Sequence, residues 1–320
     1  MIPRINAYIL AADPAWLAES VRSYYELAHR IVVSYDGSGR SWTGKPLPVD
    51  DCLAWLKSLD PQGKLDFRPG DYARAGHHPM ENDTHQRQQA LRQASDGADW
   101  VIQLDTDEVV PNLRVFRESL LEADAGGHDA LVYPARWFYQ RIGAGLFLEG
   151  SSRLWRRLAS YPGPVAVRAG VELRLARQGG RNLYVVGFSA GNLPLYSLPP
   201  VRVRKVVSVN DAILHFGWIR SDNEMTAKLT SWSHAHDRDW SQPLRRWRRA
   251  ARHPLLTAAL TPLQPDRLER VRISRIPGYR QQGSQCATMQ SLFRRATGPG
   301  PSFWRRRWTA CLARHCLPPR

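Results

Sequence analysis

The residues best suited to chemistry lie at Asp105-Thr106-Asp107-Glu108, where three acids occur within four positions. They follow the apolar run Trp100 to Leu104, which predicts a strand. Because side chains alternate along an extended chain, Asp105 and Asp107 are expected to point the same way. Two carboxylates with no basic residue beside them in the sequence repel each other unless a cation joins them. Carboxylate oxygens are hard ligands, which suit Mg2+ or Mn2+. The alternative is that these acids only cap a helix beginning near Pro111.

A second Asp-x-Asp, at Asp237-Arg238-Asp239, provides an internal comparison. An Arg lies at its centre, and it follows the polar end of a predicted helix instead of an apolar strand. We interpret this second motif as a solvated turn. The preceding strand therefore distinguishes the first motif as the candidate site.

The first 125 residues alternate predicted strands and helices, as the periods of their apolar residues indicate. Such alternation predicts an α/β fold of Rossmann-like type, with a mostly parallel sheet and helices on both faces. Ligands of these sheets bind at the carboxyl ends of the strands, so the loops after residues 10, 35 and 104 are expected to form the site. The strands are predicted at Arg4 to Leu10, Ile31 to Tyr35, Lys64 to Phe67 and Trp100 to Leu104, and the helices from Asp13-Pro14 to Ala28, at Asp50 to Leu59, Glu81 to Ala94 and Pro111 to Ala123.

Short predicted strands, separated by Gly and Pro, follow Gly127, and one helix follows them. We expect these elements to complete a single domain over residues 1–240. The strands are predicted at Ala130 to Tyr133, Arg153 to Trp155, Val171 to Leu175, Leu183 to Val186, Arg202 to Val209 and Ala212 to Phe216, and the helix at Ser221 to Ser233.

The net charge of +16 is concentrated in residues 241–320. This segment holds 17 Arg and no Lys, and its acids are Asp266 and Glu269, so that it carries +15. The pattern predicts a nearly neutral domain followed by a basic helical C-terminal extension. The extension interleaves aromatic residues with Arg at Arg245-Arg246-Trp247-Arg248-Arg249 and from Phe303 to Trp308.

Three interpretations of this extension stay open. Arg and aromatic side chains bind single-stranded nucleic acid, and they also suit an anionic membrane surface. We favour the membrane over nucleic acid. The third interpretation is a solvated basic segment without a partner.

Several classes of protein are disfavoured by the sequence. No stretch approaches the roughly 18 apolar residues that span a bilayer. The start, Met1-Ile2-Pro3-Arg4 and a short apolar run to Ala12, lacks the basic region and cleavage site of a signal peptide. Four cysteines without paired spacing indicate reduced thiols instead of a disulfide framework or a zinc site. We expect a cytoplasmic protein, located peripherally at the inner face of the cell membrane if the extension binds lipid.

Three segments together resemble the GT-A nucleotide-sugar glycosyltransferases, particularly bacterial family 2 enzymes. They are Ile102-Gln103-Leu104-Asp105-Thr106-Asp107-Glu108, Val32-Val33-Ser34-Tyr35-Asp36-Gly37-Ser38, and the helix with Arg87-Gln88-Gln89-Ala90 that leads to Ala98-Asp99-Trp100. The resemblance covers roughly residues 1–235 and rests on order and spacing. It implies a GT-A fold whose residues 1–125 bind a nucleotide sugar and whose residues 126–240 bind a saccharide or lipid-linked acceptor, in surface-polysaccharide biosynthesis.

The resemblance also implies roles for residues near the donor. Asp105, Thr106 and Asp107 would hold a divalent metal (Mn2+ or Mg2+) and the ribose and diphosphate of the donor. Asp36 would contact the nucleobase or ribose. Arg87 would lie near the donor, although the family commonly has Arg-Asn where this chain has Arg87-Gln88.

The segment from Ile213 to Trp218 resembles the closing segment of these enzymes, where a His completes the metal shell. His215 is accordingly a candidate third metal ligand, the alternative being a hydrogen-bonded histidine of the core. Lys228, in the helix that follows, is a candidate partner of the diphosphate. The alternative for Lys228 is a solvated position on a polar helix face.

The implied reaction is displacement at the anomeric carbon of the donor sugar. An inverting enzyme needs a carboxylate to deprotonate the acceptor hydroxyl, whereas a retaining enzyme needs none at that step. The candidates for this base are Glu149, Glu172 and Asp211, of which at most one would serve.

One motif suggests a different enzyme class. Gly187-Phe188-Ser189-Ala190-Gly191 matches the G-x-S-x-G elbow of serine hydrolases. That elbow requires a helix directly after the serine, but Asn192-Leu193-Pro194 and Pro199-Pro200 follow, and proline interrupts a helix. The serine hydrolase is therefore the less favoured alternative.

Overall fold

The computed structural model describes residues 2–151, 160–188, 202–260, 267–273 and 276. In chain order the strands are β1 (Ile5–Leu10), β2 (Ile31–Asp36), β3 (Leu65–Gly70), β4 (Trp100–Ile102), β5 (Glu108–Val109), β6 (Ala130–Val132), β7 (Ala135–Gly143), β8 (Leu146–Ser151), β9 (Ala166–Arg168), β10 (Leu173–Leu175), β11 (Gln178–Gly179), β12 (Leu183–Gly187), β13 (Val203–Val206), β14 (Ile213–His215) and β15 (Arg267–Arg272). The helices are α1 (Leu17–Tyr24), α2 (Val49–Ser58), α3 (Pro79–Ser95), α4 (Leu113–Ala125), α5 (Asp222–Ser231), α6 (Ser241–Arg252) and α7 (Pro254–Leu260), and Val209–Asp211 forms a short 3-10 helix.

The main sheet has the strand order β13-β12-β6-β9-β4-β1-β2-β3. Neighbouring strands are parallel except around β9, which is antiparallel to both β4 and β6. The predicted α/β class with a mostly parallel sheet is therefore confirmed. The antiparallel strand β9 was not expected from the sequence, because three residues carry too little period to identify a strand.

Helices cover both faces of the main sheet, as predicted. All six residues of β1 are buried, and alternate side chains enter different clusters. Ile9 belongs to the cluster that contains residues of α1, α2 and α4, whereas Tyr8 belongs to the cluster formed with α3. This is the continuous burial expected of a strand that is covered on both faces.

A second sheet, of order β15-β8-β7-β14-β5, lies beside the site. Its aromatic core includes Phe216, which stacks on Trp16 at a ring separation of 4.1 Å and packs against Phe138 and Phe147. In this sheet β14 pairs with β5, so that His215 lies opposite Glu108. Residues 107 and 215 are thus brought together by strand pairing.

The first helix differs from its prediction. It begins at Leu17, and its N-cap position makes no side-chain cap. Asp13 accepts the backbone N–H of Ala15 at 3.0 Å, but its other oxygen accepts from Arg220. The helix therefore begins later than the predicted start at Asp13-Pro14, and Asp13 lies in the loop before it.

The strands β7 and β8 pair with each other and were not predicted, whereas the predicted strand from Arg153 to Trp155 lies outside the described residues. Mixed polar and apolar residues in β7 hide its period, since Arg136 and Gln140 are buried and Trp137 is exposed. The period of an alternating strand cannot be read where polar side chains point inwards.

The first part of the basic extension is helical, as predicted. Trp247 and Ala250 of α6 are buried, and Nε1 of Trp247 donates to the carbonyl oxygens of Tyr139 and Trp218. The helix α6 thus packs on the second sheet although it lies beyond the expected boundary at residue 240. Among the described helices, none is long and apolar enough to cross a membrane.

Candidate active site

Acidic residues lie at the carboxyl end of the main sheet, where the alternation of strands and helices predicts a site. Asp13 follows β1, Asp36 ends β2, and Asp107 lies in the loop after β4. Arg220, between β14 and α5, donates to Asp13 at 2.8 Å and to Asp107 at 3.0 Å. One guanidinium thus joins the loops after β1 and β4.

Asp107 is almost fully buried, and its carboxylate contacts three basic side chains. Lys228 of α5 donates to Oδ2 at 2.6 Å, Arg220 donates to the same oxygen, and Nε2 of His215 lies 3.4 Å from Oδ1. Burial raises the pKa of Asp107, but Lys228, His215 and Arg220 outweigh burial and hold this pKa well below its usual range. Asp107 is therefore a fixed negative charge surrounded by cations.

Asp105 is the more accessible acid of the motif, with 32% of its side chain exposed. Nη2 of Arg87 donates to it at 2.8 Å, and Nη1 of Arg177 lies 3.9 Å from its other oxygen. Burial raises the pKa of Asp105, but Arg87 and Arg177 lower it more, so that the pKa lies below its ordinary value. Thr106 lies half-buried between the two acids.

Glu108, the third acid, forms a salt bridge with Arg177 in the protein interior. Both of its oxygens accept from Arg177 at 2.6 Å, and neither side chain is more than 2% exposed. One oxygen also accepts the backbone N–H of Asp105 at 3.0 Å. Such a bidentate, charge-assisted pair fixes the loop in one conformation.

The acids lack basic neighbours only in the sequence, and in the folded chain distant basic side chains supply the cations that join them. Four cations reach them: Arg87 from α3, Arg177 from the turn between β10 and β11, and Arg220 and Lys228 from the segment after β14. The pairs join residues 18 to 121 positions apart, which no local pattern indicates. Sequence reasoning named Arg87 and Lys228 but missed Arg177 and Arg220.

Arg220 could have been found, since it lies two residues beyond the recognised segment that ends at Trp218. No signal in the sequence distinguishes Arg177 from other arginines. The alternative role of the acids as helix caps is wrong. Asn112 is the N-cap of α4, and its side chain accepts from the backbone N–H of Val115 at 3.3 Å.

A divalent cation needs free carboxylate or imidazole lone pairs. Oδ2 of Asp107 already accepts from Lys228 and Arg220, Nε2 of His215 lies 3.4 Å from Oδ1, and only Asp105 is partly exposed. The part of the chain that the structure describes contains no group of three or more His, Cys, Asp or Glu side chains that could hold a metal ion. As placed, Asp105, Asp107 and His215 therefore do not fit Mn2+ or Mg2+, because Lys228 and Arg220 provide the positive charge at that position.

His215 faces residues 105–108, which we call the acidic loop, from the end of β14. Its Nδ1 is buried and has no hydrogen-bond partner among the described residues, which differs from a satisfied histidine of the core. Gly217 allows the ring to approach, since a Cβ at this position would lie 2.8 Å from Nε2 of His215. Trp137, 44% exposed, meets the same ring edge-on at 5.2 Å.

Asp36 is buried and accepts five hydrogen bonds. Its donors are the backbone N–H and hydroxyl of Ser38 and the backbone N–H groups of Arg40, Tyr72 and Ala73. Burial raises the pKa of Asp36, but these donors together lower it below its ordinary value. The carboxylate thus holds the loops after β2 and β3 together.

The three candidates for a catalytic base lie in different environments. Glu149 forms a bidentate pair with Arg136 at 2.7 Å, and both side chains are only 2% exposed. Glu172 is exposed just before β10. Asp211 accepts from Asn112 at 2.8 Å, in the 3-10 helix that precedes β14. The structure does not bring these three acids together.

The other motifs are also placed. Asp237 and Asp239 are exposed in a turn, which confirms the interpretation of the second Asp-x-Asp. The hydrolase-like motif begins at Gly187, the last residue of β12, but Ser189 and the residues to 201 lie outside the described part of the chain. The Arg/Trp cluster from Phe303 to Trp308 also lies outside it.

Neither the protein-family models nor the curated proteins include a match to this chain. Among solved structures, it is similar to a mannosyltransferase from Pyrobaculum calidifontis in complex with GDP-Man and Mn2+, at 17% identity and a TM-score of 0.32. The match covers 42% of this chain and 36% of the mannosyltransferase, so this chain spans about a third of the length of that protein.

Two further solved structures are similar at the same level. One is 4-diphosphocytidyl-2C-methyl-D-erythritol synthase from Anaerococcus prevotii, at 11% identity, 52% of this chain, 70% of that chain and a TM-score of 0.33. The other is CMP:2-keto-3-deoxy-manno-octonic acid synthetase complexed with CTP, at 14% identity, 42% of this chain, 53% of that chain and a TM-score of 0.27. The chain is thus distantly similar in structure to proteins with nucleotidyltransferase-like and GT-A-like folds, and at these TM-scores the similarity assigns no function.

Proposed function

We propose that this protein is a glycosyltransferase that moves a sugar from a nucleotide-sugar donor to a saccharide or lipid-linked acceptor. The observation that carries the proposal is the contact of Lys228 and Arg220 with Asp107 at the carboxyl end of β4. This is the end of a parallel sheet at which nucleotides bind, and the sequence resemblance implies the donor diphosphate there.

Lys228 is the cation best able to meet a diphosphate. Its side chain is 23% exposed, whereas that of Arg220 is 1% exposed and that of Arg87 is 8% exposed. An ammonium on a flexible stem can contact Asp107 and a phosphate oxygen at once. Charge that develops on the departing diphosphate would then be stabilised by a group already in place.

Arg87 and Asp105 are the proposed contacts for the rest of the donor. Nη1 of Arg87 is buried without a hydrogen-bond partner in the described residues, and a donor oxygen would satisfy it. Asp105, which is one-third exposed, and Thr106 beside it can accept the ribose hydroxyls. Asp36 contributes by fixing the loop after β2, and a direct contact with the nucleobase stays a prediction.

Mn2+ or Mg2+ stays a prediction that rests on the resemblance. No step is assigned to the ion, because Asp107 is already neutralised by side chains. The acceptor base is also open among Glu149, Glu172 and Asp211. Of these, Glu172 is the one whose side chain is exposed. We place the reaction in the cytoplasm, in surface-polysaccharide biosynthesis, as the sequence suggests.

Thermal-shift measurements test the proposal. The chain is heated with UDP-, GDP-, CMP- and dTDP-sugars, each with and without Mn2+, since a ligand that binds the native state raises the melting temperature. We expect one nucleotide series to raise it, and Asp107→Ala to abolish both the shift and turnover of the matching sugar. A fully active Asp107→Ala protein, or no shift with any nucleotide sugar, contradicts the proposal.

A further inference from the structure

The outer face of α6 carries three arginines. Arg245, Arg249 and Arg252 are spaced by four and three residues, which places them on one side of a helix. All three are exposed, and within the described residues none of them forms a salt bridge. Trp247 and Ala250, on the opposite side, are buried against the protein. The helix is therefore attached by one face and presents positive charge on the other.

Two exposed leucines follow directly on α7. Leu255 is 63% exposed and Leu256 is 56% exposed. Among the described residues, they are the only exposed large hydrophobic side chains that are neighbours in the chain. We call the surface formed by Arg245, Arg249, Arg252, Leu255 and Leu256 the α6–α7 face.

No acid interrupts the α6–α7 face, since the chain has none from Trp240 to Pro265. Two acids interact with this face at longer range, Asp222 with Arg252 and Asp239 with Arg245, but the hydrogen bonds of both acids go to other groups. Asp222 accepts from Arg248 at 2.5 and 2.9 Å, and Asp239 accepts from the backbone N–H and hydroxyl of Ser241 at 2.8 and 2.7 Å. The face therefore keeps a net positive charge, because its three arginines outnumber these two acids and Asp222 is already paired with Arg248.

We propose that the α6–α7 face docks on an anionic bilayer surface. Arginines meet lipid phosphates, and the leucines that follow them in the chain enter the boundary between headgroups and acyl chains. A nucleic acid would also neutralise the arginines, but its phosphate backbone offers no apolar environment for two leucines that are more than half exposed. The combination of charge and apolar exposure favours the lipid surface. This inference does not depend on the proposed glycosyltransferase activity.

The contacts of α6 link the docking face to the candidate site. Nε1 of Trp247 donates to the carbonyl of Trp218 at 3.0 Å, three residues after His215. Arg248 pairs with Asp222 in the first turn of α5, the helix that carries Lys228. Docking would hold the segment 215–228 at a fixed position relative to the bilayer, where a lipid-borne ligand resides.

Co-sedimentation of the full chain with vesicles tests the proposal. Vesicles of phosphatidylcholine alone are compared with vesicles containing phosphatidylglycerol, at low and high salt. Each arginine near an anionic surface contributes about a fivefold gain in affinity, so Arg245→Gln/Arg249→Gln/Arg252→Gln should weaken binding to the anionic vesicles about a hundredfold. Leu255→Ser/Leu256→Ser should weaken binding even at high salt, which screens charge but not apolar insertion.

A matched control changes three exposed arginines elsewhere, Arg92, Arg114 and Arg117, to Gln. We expect this control to bind vesicles as the unchanged chain does, with thermal melting showing that every variant is folded. The proposal is overturned if the control and the face variants lose equal affinity, or if the face variants bind anionic vesicles normally. Loss of binding to single-stranded DNA with unchanged vesicle binding also overturns it and assigns the face to nucleic acid.

Discussion

Lys228 donates to Asp107 at 2.6 Å across a separation of 121 residues, and this contact places a cation where the donor diphosphate is expected. The acid fixes the position of the ammonium, and Arg220 shares the same carboxylate oxygen. Because Lys228 is partly exposed, it remains available to a ligand. The Asp-x-Asp motif of this chain thus fixes the position of two cations at the carboxyl end of the main sheet.

Replacement of Lys228 by Met should weaken binding of a nucleoside diphosphate. The loss of one charge-assisted hydrogen bond corresponds to roughly ten- to hundredfold in affinity. Calorimetric titration with UDP, GDP and CDP measures it. Lys205→Met is a matched control, because Lys205 also contacts a carboxylate, that of Glu122, at 2.7 Å. If the Lys228→Met protein and the control bind the nucleoside diphosphate with equal affinity, Lys228 does not contact it.

Chelation of metal should leave nucleotide binding largely intact. Lys228 and Arg220 already neutralise Asp107, so the affinity for the best nucleoside diphosphate should change only about twofold in excess EDTA, a small difference in free energy. The measurement is titration in EDTA and in Mn2+. A strict requirement for Mn2+ would instead show that the ion displaces Lys228, as the resemblance to metal-dependent enzymes implies.

Because of Asp107, the free energy of unfolding should decrease as the pH becomes acidic. Its pKa is held well below the usual range in the folded chain, so the unfolded chain takes up a proton first as the pH falls. Its contribution is complete above the unfolded pKa, near pH 4, and is lost as the pH falls towards the lowered folded value. Urea denaturation between pH 3 and 6 measures the free energy of unfolding. As the pH falls, this free energy should decrease less for Asp107→Asn than for the unchanged chain. Parallel curves would contradict this assignment.

Glu149 should prove structural. Its replacement by Gln leaves Arg136 buried without a full counter-charge, and breaking a buried pair costs roughly 3–5 kcal/mol. Denaturant unfolding of Glu149→Gln measures this loss, with Glu172→Gln as the exposed comparison that should leave stability unchanged. A stable Glu149→Gln protein that has lost only kcat would identify Glu149 as the base after all.

Hydrophobic period was sufficient to predict β1, β2, α2 and α3, because the strands are covered on both faces and each helix buries one face against the main sheet. The position of the candidate site followed from the order of strands. The interior pair of Arg136 with Glu149 shows where this approach fails, since buried polar residues imitate a solvated pattern.

Most partners of the acidic loop could not be predicted from the sequence, for a different reason. Arg177 reaches Glu108 through a turn that is defined only when β10 and β11 pair. Arg220 contacts Asp107 only once β14 has paired with β5. Sequence spacing identifies groups that occur together along the chain, whereas charge compensation depends on groups that folding brings together.

The strand β5 begins at Glu108, directly after Asp107, and the carbonyl of Asp107 accepts the backbone N–H of Phe216 at 2.8 Å. The last residue of the acidic loop, Glu108, is therefore also the first residue of the strand that pairs with β14 in the second sheet. A ligand that displaces Asp107 must strain the β5–β14 pairing, and a ligand that shifts β14 must move the charge at Asp107. The loop thus joins β4 of the main sheet to β5 of the second sheet, so that the position of Asp107 depends on both sheets.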